Sequence, residues 1–109
     1  MIYGTKIRRI EHFNNGVNHG LKVEYFENGN KKAEGNYLNG KKEGIHLEWH
    51  ENGQLKYSCQ FLKDLKNGHE IYFRENGQKE EEGEYLNGNK KGPFIWYNSD
   101  GTIKEETTF

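Results

Sequence analysis

The sequence has one cysteine, Cys59, so no disulfide framework can form within the chain. It has one proline among 109 residues, and Leu, Ile, Val and Phe stand near the level of about 20% at which disorder competes with folding. A net charge of only −1 and an aromatic content of 14% argue against disorder. The balance of 16 basic against 17 acidic residues gives no electrostatic footprint for nucleic acid. Neither a signal-like apolar run at Met1–Arg9 nor a membrane-length stretch occurs, which sets a cytoplasmic location as the expectation. No segment shows the i, i+3, i+4 pattern of an amphipathic helix, apart from a weak charged stretch at Lys79–Glu84. With 14 glycines and few aliphatics, the composition suits a thin sheet.

What the chain does have is a repeat. Tyr25, Trp49, Phe73 and Tyr97 are 24 residues apart, and Val23, Leu47, Ile71 and Ile95 precede each by two. Gly29, Gly53, Gly77 and Gly101 keep the same spacing, each after Asn or Asp. Phe13, Tyr37, Phe61, Tyr85 and Phe109 form another series, and Gly20, Gly44, Gly68 and Gly92 a further one. The period divides the single domain, 1–109, into a partial repeat 1–20, full repeats 21–44, 45–68 and 69–92, and a partial repeat 93–109.

Each repeat reads as two strands and two turns. Glu-Asn-Gly at 27–29, 51–53 and 75–77, with Ser-Asp-Gly at 99–101, suits a three-residue hairpin loop: a type I turn closed by a left-handed glycine. The second turn reads as a longer one, 38–44 and 86–92. Its middle copy, 62–68, carries Asp64 in place of glycine, and Asp tolerates the left-handed region well enough for the turn to survive. Strands are expected near 6–13, 19–26, 30–37, 44–50, 54–61, 68–74, 78–85, 92–98 and 102–109. The fold class is all-β, a single-layer antiparallel meander of stacked hairpins. An odd-length loop keeps alternation in phase, so Val23, Tyr25, Ala33, Tyr37, Leu47, Trp49, Leu55, Tyr57, Phe61, Ile71, Phe73, Tyr85, Ile95, Tyr97, Ile103 and Phe109 are expected on one apolar face. Gly35 and Gly83 fall there too, each able to receive an aromatic ring over its bare backbone.

Catalytic and metal chemistry find little support. His46 and His50 are four apart, which on a strand separates them by about 13 Å and forbids a shared ion. Cys59 falls on the apolar face, where a thiol acts as a small buried hydrophobe. Ser58 and Ser99 are the only serines, Ser99 lies in a turn whose copies carry glutamate, and the sequence has no phosphate-cradling glycine loop. The chain is therefore read as a non-enzyme with no cofactor and no metal.

The opposite face reads as charged in its N-terminal half, but Tyr72, Phe94 and Trp96 interrupt that pattern beside Glu80, Glu82 and Glu84, with Arg74 nearby. Exposed aromatics rimmed by charge mark a protein-binding patch, and these seven residues are the candidate partner site. The free edges carry Lys6, Arg8 and Arg9 at one end and Lys104, Glu105 and Glu106 at the other. Such charges discourage edge pairing, so a monomer or at most a weak dimer is expected.

The unit Gly-x-Tyr-Leu-Asn-Gly-x-Lys-x-Gly-x-x-x-x-aromatic-x-x-Asn/Asp-Gly, at 35–53 and 83–101, resembles the MORN-repeat variant, and most nearly its bacterial YwqK-type antitoxin and immunity group. Asp64 departs from a motif glycine, and Cys59 and Thr107 stand where Gly35 and Gly83 do in the other copies. The resemblance implies a stacked-hairpin binding platform and a protein partner, such as a toxin with a basic site. It also implies an alternative, a structural or membrane-associated scaffold, which the lack of a polybasic run in the sequence disfavours.

Overall fold

The structure, a computed structural model, describes residues 8–109. It holds no helix among them, only eleven strands: β1 (Arg9–Ile10), β2 (Phe13–Asn14), β3 (Val17–Asn18), β4 (Gly20–Tyr25), β5 (Lys31–Leu38), β6 (Lys41–Trp49), β7 (Leu55–Leu62), β8 (Leu65–Phe73), β9 (Lys79–Leu86), β10 (Asn89–Tyr97) and β11 (Ile103–Thr108). Nine of them form one open antiparallel sheet in the order β1-β4-β5-β6-β7-β8-β9-β10-β11, and β2 and β3 form a separate small hairpin. The molecule measures 54 × 35 × 11 Å, the thickness of a single layer. The charged stretch at Lys79–Glu84 is strand, as its alignment with the other repeats requires. Lys6, expected at the first edge, lies outside the described residues.

The first turn forms as its residues dictate. Gly29 donates to Phe26 at 3.0 Å with φ of 90°, and the same bond recurs at Gly53, Gly77 and Gly101. Asn28 also accepts from the Asn30 amide at 2.9 Å and donates to the Glu51 carbonyl of the next turn at 3.2 Å. Asn52 repeats both bonds, so an asparagine ladder ties turn to turn. Asp100, in the last turn, accepts from Thr102 in the same way.

The second turn is shorter than expected. Asn39-Gly40, Lys63-Asp64 and Asn87-Gly88 are two-residue turns with positive φ at both positions, the primed geometry that suits twisted hairpins. Asp64 adopts φ of 71° and keeps the turn. Gly44, Gly68 and Gly92 also have positive φ but lie within strands, where they bend the strand without ending it. For that reason β6, β8 and β10 begin three residues earlier than the pattern suggested.

The single apolar face is corrected. A register shift beside each first turn, between Glu24 and Tyr25, Glu48 and Trp49, Tyr72 and Phe73, and Trp96 and Tyr97, leaves one residue unpaired: Lys32, Lys56, Glu80 and Lys104. Each bulge reverses the phase of alternation. Val23, Leu47, Ile71 and Ile95 therefore share an aliphatic face with Tyr25, Trp49, Phe73, Tyr97, Leu55 and Ile103. Ala33, Tyr37, Tyr57, Phe61, Tyr85 and Phe109 lie on the other face, as do Gly35 and Gly83.

Candidate functional site

That other face carries the more elaborate site. Across its middle runs one register row: Lys22, Gly35, His46, Cys59, Glu70, Gly83, Phe94, Thr107. Small residues alternate with large ones, and the large ones lie over the small. The His46 ring covers Gly35 and the Phe94 ring covers Gly83 so closely that a Cβ at either glycine would fall well inside contact distance. Phe94 also meets Tyr85 and Phe109 edge-on, at 5.4 and 5.3 Å between centroids. In the middle repeat Cys59 fills the space that glycine leaves elsewhere, and the slender Glu70 takes the place of a ring.

Glu70 is 4% exposed. It accepts a hydrogen bond from the Tyr57 hydroxyl at 2.7 Å and forms an ion pair with Lys66. Burial, with the Glu70 bond second, pushes the Tyr57 hydroxyl well above its ordinary pKa, and burial pushes the Cys59 thiol up. The cluster of Tyr57, Cys59 and Phe61, with the Tyr72 ring tilted against Tyr57 at 4.6 Å between centroids, is the core of the face.

Charge is sorted on either side of this row. One flank holds Glu24, Glu48, Glu81 and Glu105, interleaved with Tyr57, Tyr72 and Trp96. The other holds Lys42, Lys66 and Lys90, each within 4.9 Å of an aromatic centroid: Phe61, Tyr85 and Phe94 respectively. Between β4 and β8 the face dips into a groove of about 610 Å3 lined by Lys22, Tyr37, Lys42, His46, Tyr57 and Tyr72 with their neighbours.

The seven residues expected in one patch are divided. Tyr72 and Trp96 are half-buried on the groove face, but Phe94 is only 2% exposed and belongs to the core, because Gly83 admits its ring. Glu82 and Glu84 lie on the aliphatic face, where their carboxylates stand 3.0 and 2.9 Å from the two ring nitrogens of His69. Burial works against the Glu82 charge. Hydrogen bonds from Tyr97 and Lys79 outweigh it and hold that carboxyl below its usual range, and the Tyr97 hydroxyl is pushed up to about 12. Glu80 is the bulge residue, and Arg74 is engaged in the fold, donating to the Tyr97 carbonyl at 2.9 Å.

The patch that does form is Tyr72, Glu81, Trp96 and Glu105, consecutive partners across β8 to β11. Glu81 and Glu105 make no ion pair among the described residues. Burial, then the nearby Glu70 and Glu80, raise the Glu81 carboxyl above its ordinary pKa. Neither carboxylate was in the expected set; the bulge at Glu80 places Glu81, not Glu82, between the rings.

His46 donates to the Asn36 carbonyl and His50 to that of Phe73, at 2.8 and 2.9 Å, so the two point to separate backbone partners.

No curated protein matches the chain. The MORN repeat variant model matches it at residues 18–39, 42–63, 66–87 and 90–109. Four matched copies cover most of the sequence, and the chain belongs to the MORN repeat variant family, a repeat-based binding or scaffold module.

Proposed function

We propose that the protein is an antitoxin or immunity protein, a non-enzyme that neutralises a bacterial toxin by covering a basic surface of it. The observation that carries this reading is the row Tyr72–Glu81–Trp96–Glu105. Two half-buried rings supply anchor area, and two carboxylates without ion pairs among the described residues, one held at a raised pKa, await a cation. A Lys or Arg docked there would relieve the repulsion among Glu70, Glu80 and Glu81.

The test is co-expression and titration with the product of a toxin gene adjacent to this one. Trp96→Ala should weaken binding at least tenfold, equivalent to about 1.4 kcal/mol. Glu81→Lys should slow association in a salt-dependent way. Because the Glu81 charge is required and its pKa is raised, affinity should fall as the pH drops through that pKa, and Glu81→Gln should flatten the dependence. Full-strength binding by Trp96→Ala and Glu81→Lys would remove this face from the interface.

One feature favours the scaffold reading. The fold gathers Lys41, Lys42, Lys63, Lys66, Lys90 and Lys91 along the edge of two-residue turns, beside the exposed Leu38, Leu62, Leu65 and Leu86. A line of lysines with protruding leucines suits an anionic membrane surface, at about 1 kcal/mol per basic residue. On this reading the protein should sediment with phosphatidylserine-containing vesicles at low salt and not with phosphatidylcholine alone, and Lys63→Glu with Lys91→Glu should abolish the binding. Equal sedimentation with both lipids, or none with either, would dismiss it.

A further inference from the structure

Asn-Gly occurs seven times in the chain, beginning at Asn15, Asn28, Asn39, Asn52, Asn67, Asn76 and Asn87. Asparagine is chemically labile, and a following glycine has no side chain to shield its amide nitrogen from the carboxamide. Six of these pairs are tied down by the fold. In the three-residue turns the Gly29, Gly53 and Gly77 amides donate to the Phe26, His50 and Arg74 carbonyls at 2.9 to 3.0 Å. Asn28, Asn52 and Asn76 each accept through Oδ1 from the amide two residues on. In the two-residue turns the preceding repeat supplies the partner: the Gly40 amide donates to the Asn18 carbonyl and the Gly88 amide to that of Lys66, both at 2.8 Å. Asn67 lies inside β8, and its Oδ1 accepts from the Asn87 amide at 3.1 Å.

We propose that the seventh pair, Asn15-Gly16, is a site of spontaneous deamidation, where the folded chain loses ammonia first. This turn joins β2 to β3 and is the first of its series, so no earlier turn among the described residues caps it. Among those residues nothing accepts from the Gly16 amide and nothing bonds the Asn15 side chain. Both residues are exposed, and nothing lies within 4 Å of where a Gly16 Cβ would stand. The hairpin has only two paired positions, Phe13 with Asn18 and Asn14 with Val17, whereas the strands that frame Asn39-Gly40 and Asn87-Gly88 run eight and nine residues. So short a hairpin opens at little cost, which lets the carboxamide swing over the next amide nitrogen. The Gly16 nitrogen, having given its proton to solvent, bonds to Cγ of Asn15. The bond from Cγ to Nδ2 breaks, and that nitrogen takes up protons and departs as ammonia. Water then opens the five-membered imide at either carbonyl, giving aspartate or its β-linked isomer, with no oxidation or reduction.

The experiment is a time course of the untagged full chain in mildly alkaline buffer, followed by released ammonia and by peptide mass spectrometry at each Asn-Gly pair. Asn15 should convert at least about tenfold faster than any of the other six, because each competitor must first break one or more hydrogen bonds. In urea sufficient to unfold the chain, the seven should convert at similar rates, since every one is followed by glycine and none is then held. Asn15→Gln should abolish the early ammonia, because its imide would be a six-membered ring that closes more slowly, and should leave the other six rates unchanged. Circular dichroism checks that this variant keeps the sheet. A lead by any other asparagine in the folded chain overturns the proposal, as does conversion of Asn15 no faster than the rest. So does an Asn15 lead that persists undiminished in urea, which would place the cause outside the fold, or early ammonia that survives in Asn15→Gln.

Discussion

Phe94→Ala is expected to lower the stability of the sheet by about 3–5 kcal/mol, the range for truncating a buried phenylalanine, as read by urea unfolding. The ring is 2% exposed in a structure one layer thick, and it is held between Tyr85, Phe109 and the backbone of Gly83. A single layer has no second sheet to close over the cavity, so little of the loss is recovered. Gly83→Ala should be harmful for the converse reason, since its Cβ would occupy the volume of the ring. In the double variant the two losses should fall short of their sum, because each removes the reason for the other. Trp96→Ala, half-buried at the margin of the same cluster, should cost clearly less than Phe94→Ala. Equal losses would place Trp96 in the core and take away the proposed partner surface.

The repeat, the meander and the first turn were legible because each depends on residues with narrow conformational preferences. Glycine after Asn or Asp at a 24-residue spacing specifies the turn, and the turn specifies antiparallel neighbours. The faces were not legible. Alternation locates a side chain only relative to its own strand, and one unpaired residue beside each turn inverts the phase. Lys32, Lys56, Glu80 and Lys104 occupy that position, and none carries a glycine-like signal of a bulge. The consequence for the site was direct: Phe94 moved into the core, Glu82 and Glu84 moved to the far face, and Glu81 came between Tyr72 and Trp96. The lysine edge was hidden for a related reason. Its members are scattered through the sequence and meet only when successive turns stack, as the bonds from Asp64 to Lys42 and from Gly88 to Lys66 show.

The small-large alternation on the groove face also converts the Cys59 departure from an irregularity into a prediction. Lys66→Met should destabilise the fold by about 2–3 kcal/mol. Removing one partner of a fully buried pair costs about 3–5 kcal/mol, and Lys66, about a third exposed, retains some solvent screening that lessens the loss. Glu70 would be left with the Tyr57 hydroxyl alone. Adding Glu70→Gln should recover much of the deficit, because a neutral amide needs no cation. A stronger test transplants the neighbouring repeat. Glu70→Phe alone should be destabilising, since the Cys59 side chain fills the space into which Phe94 lays its ring over Gly83. Cys59→Gly alone should be destabilising too, through the cavity and the added backbone freedom. Together they recreate the Gly83–Phe94 arrangement, and the double variant should be more stable than either single one. Additive losses would show that the row is not built from interchangeable small and large partners, and that the middle repeat carries its buried carboxylate for some reason other than the volume of Cys59.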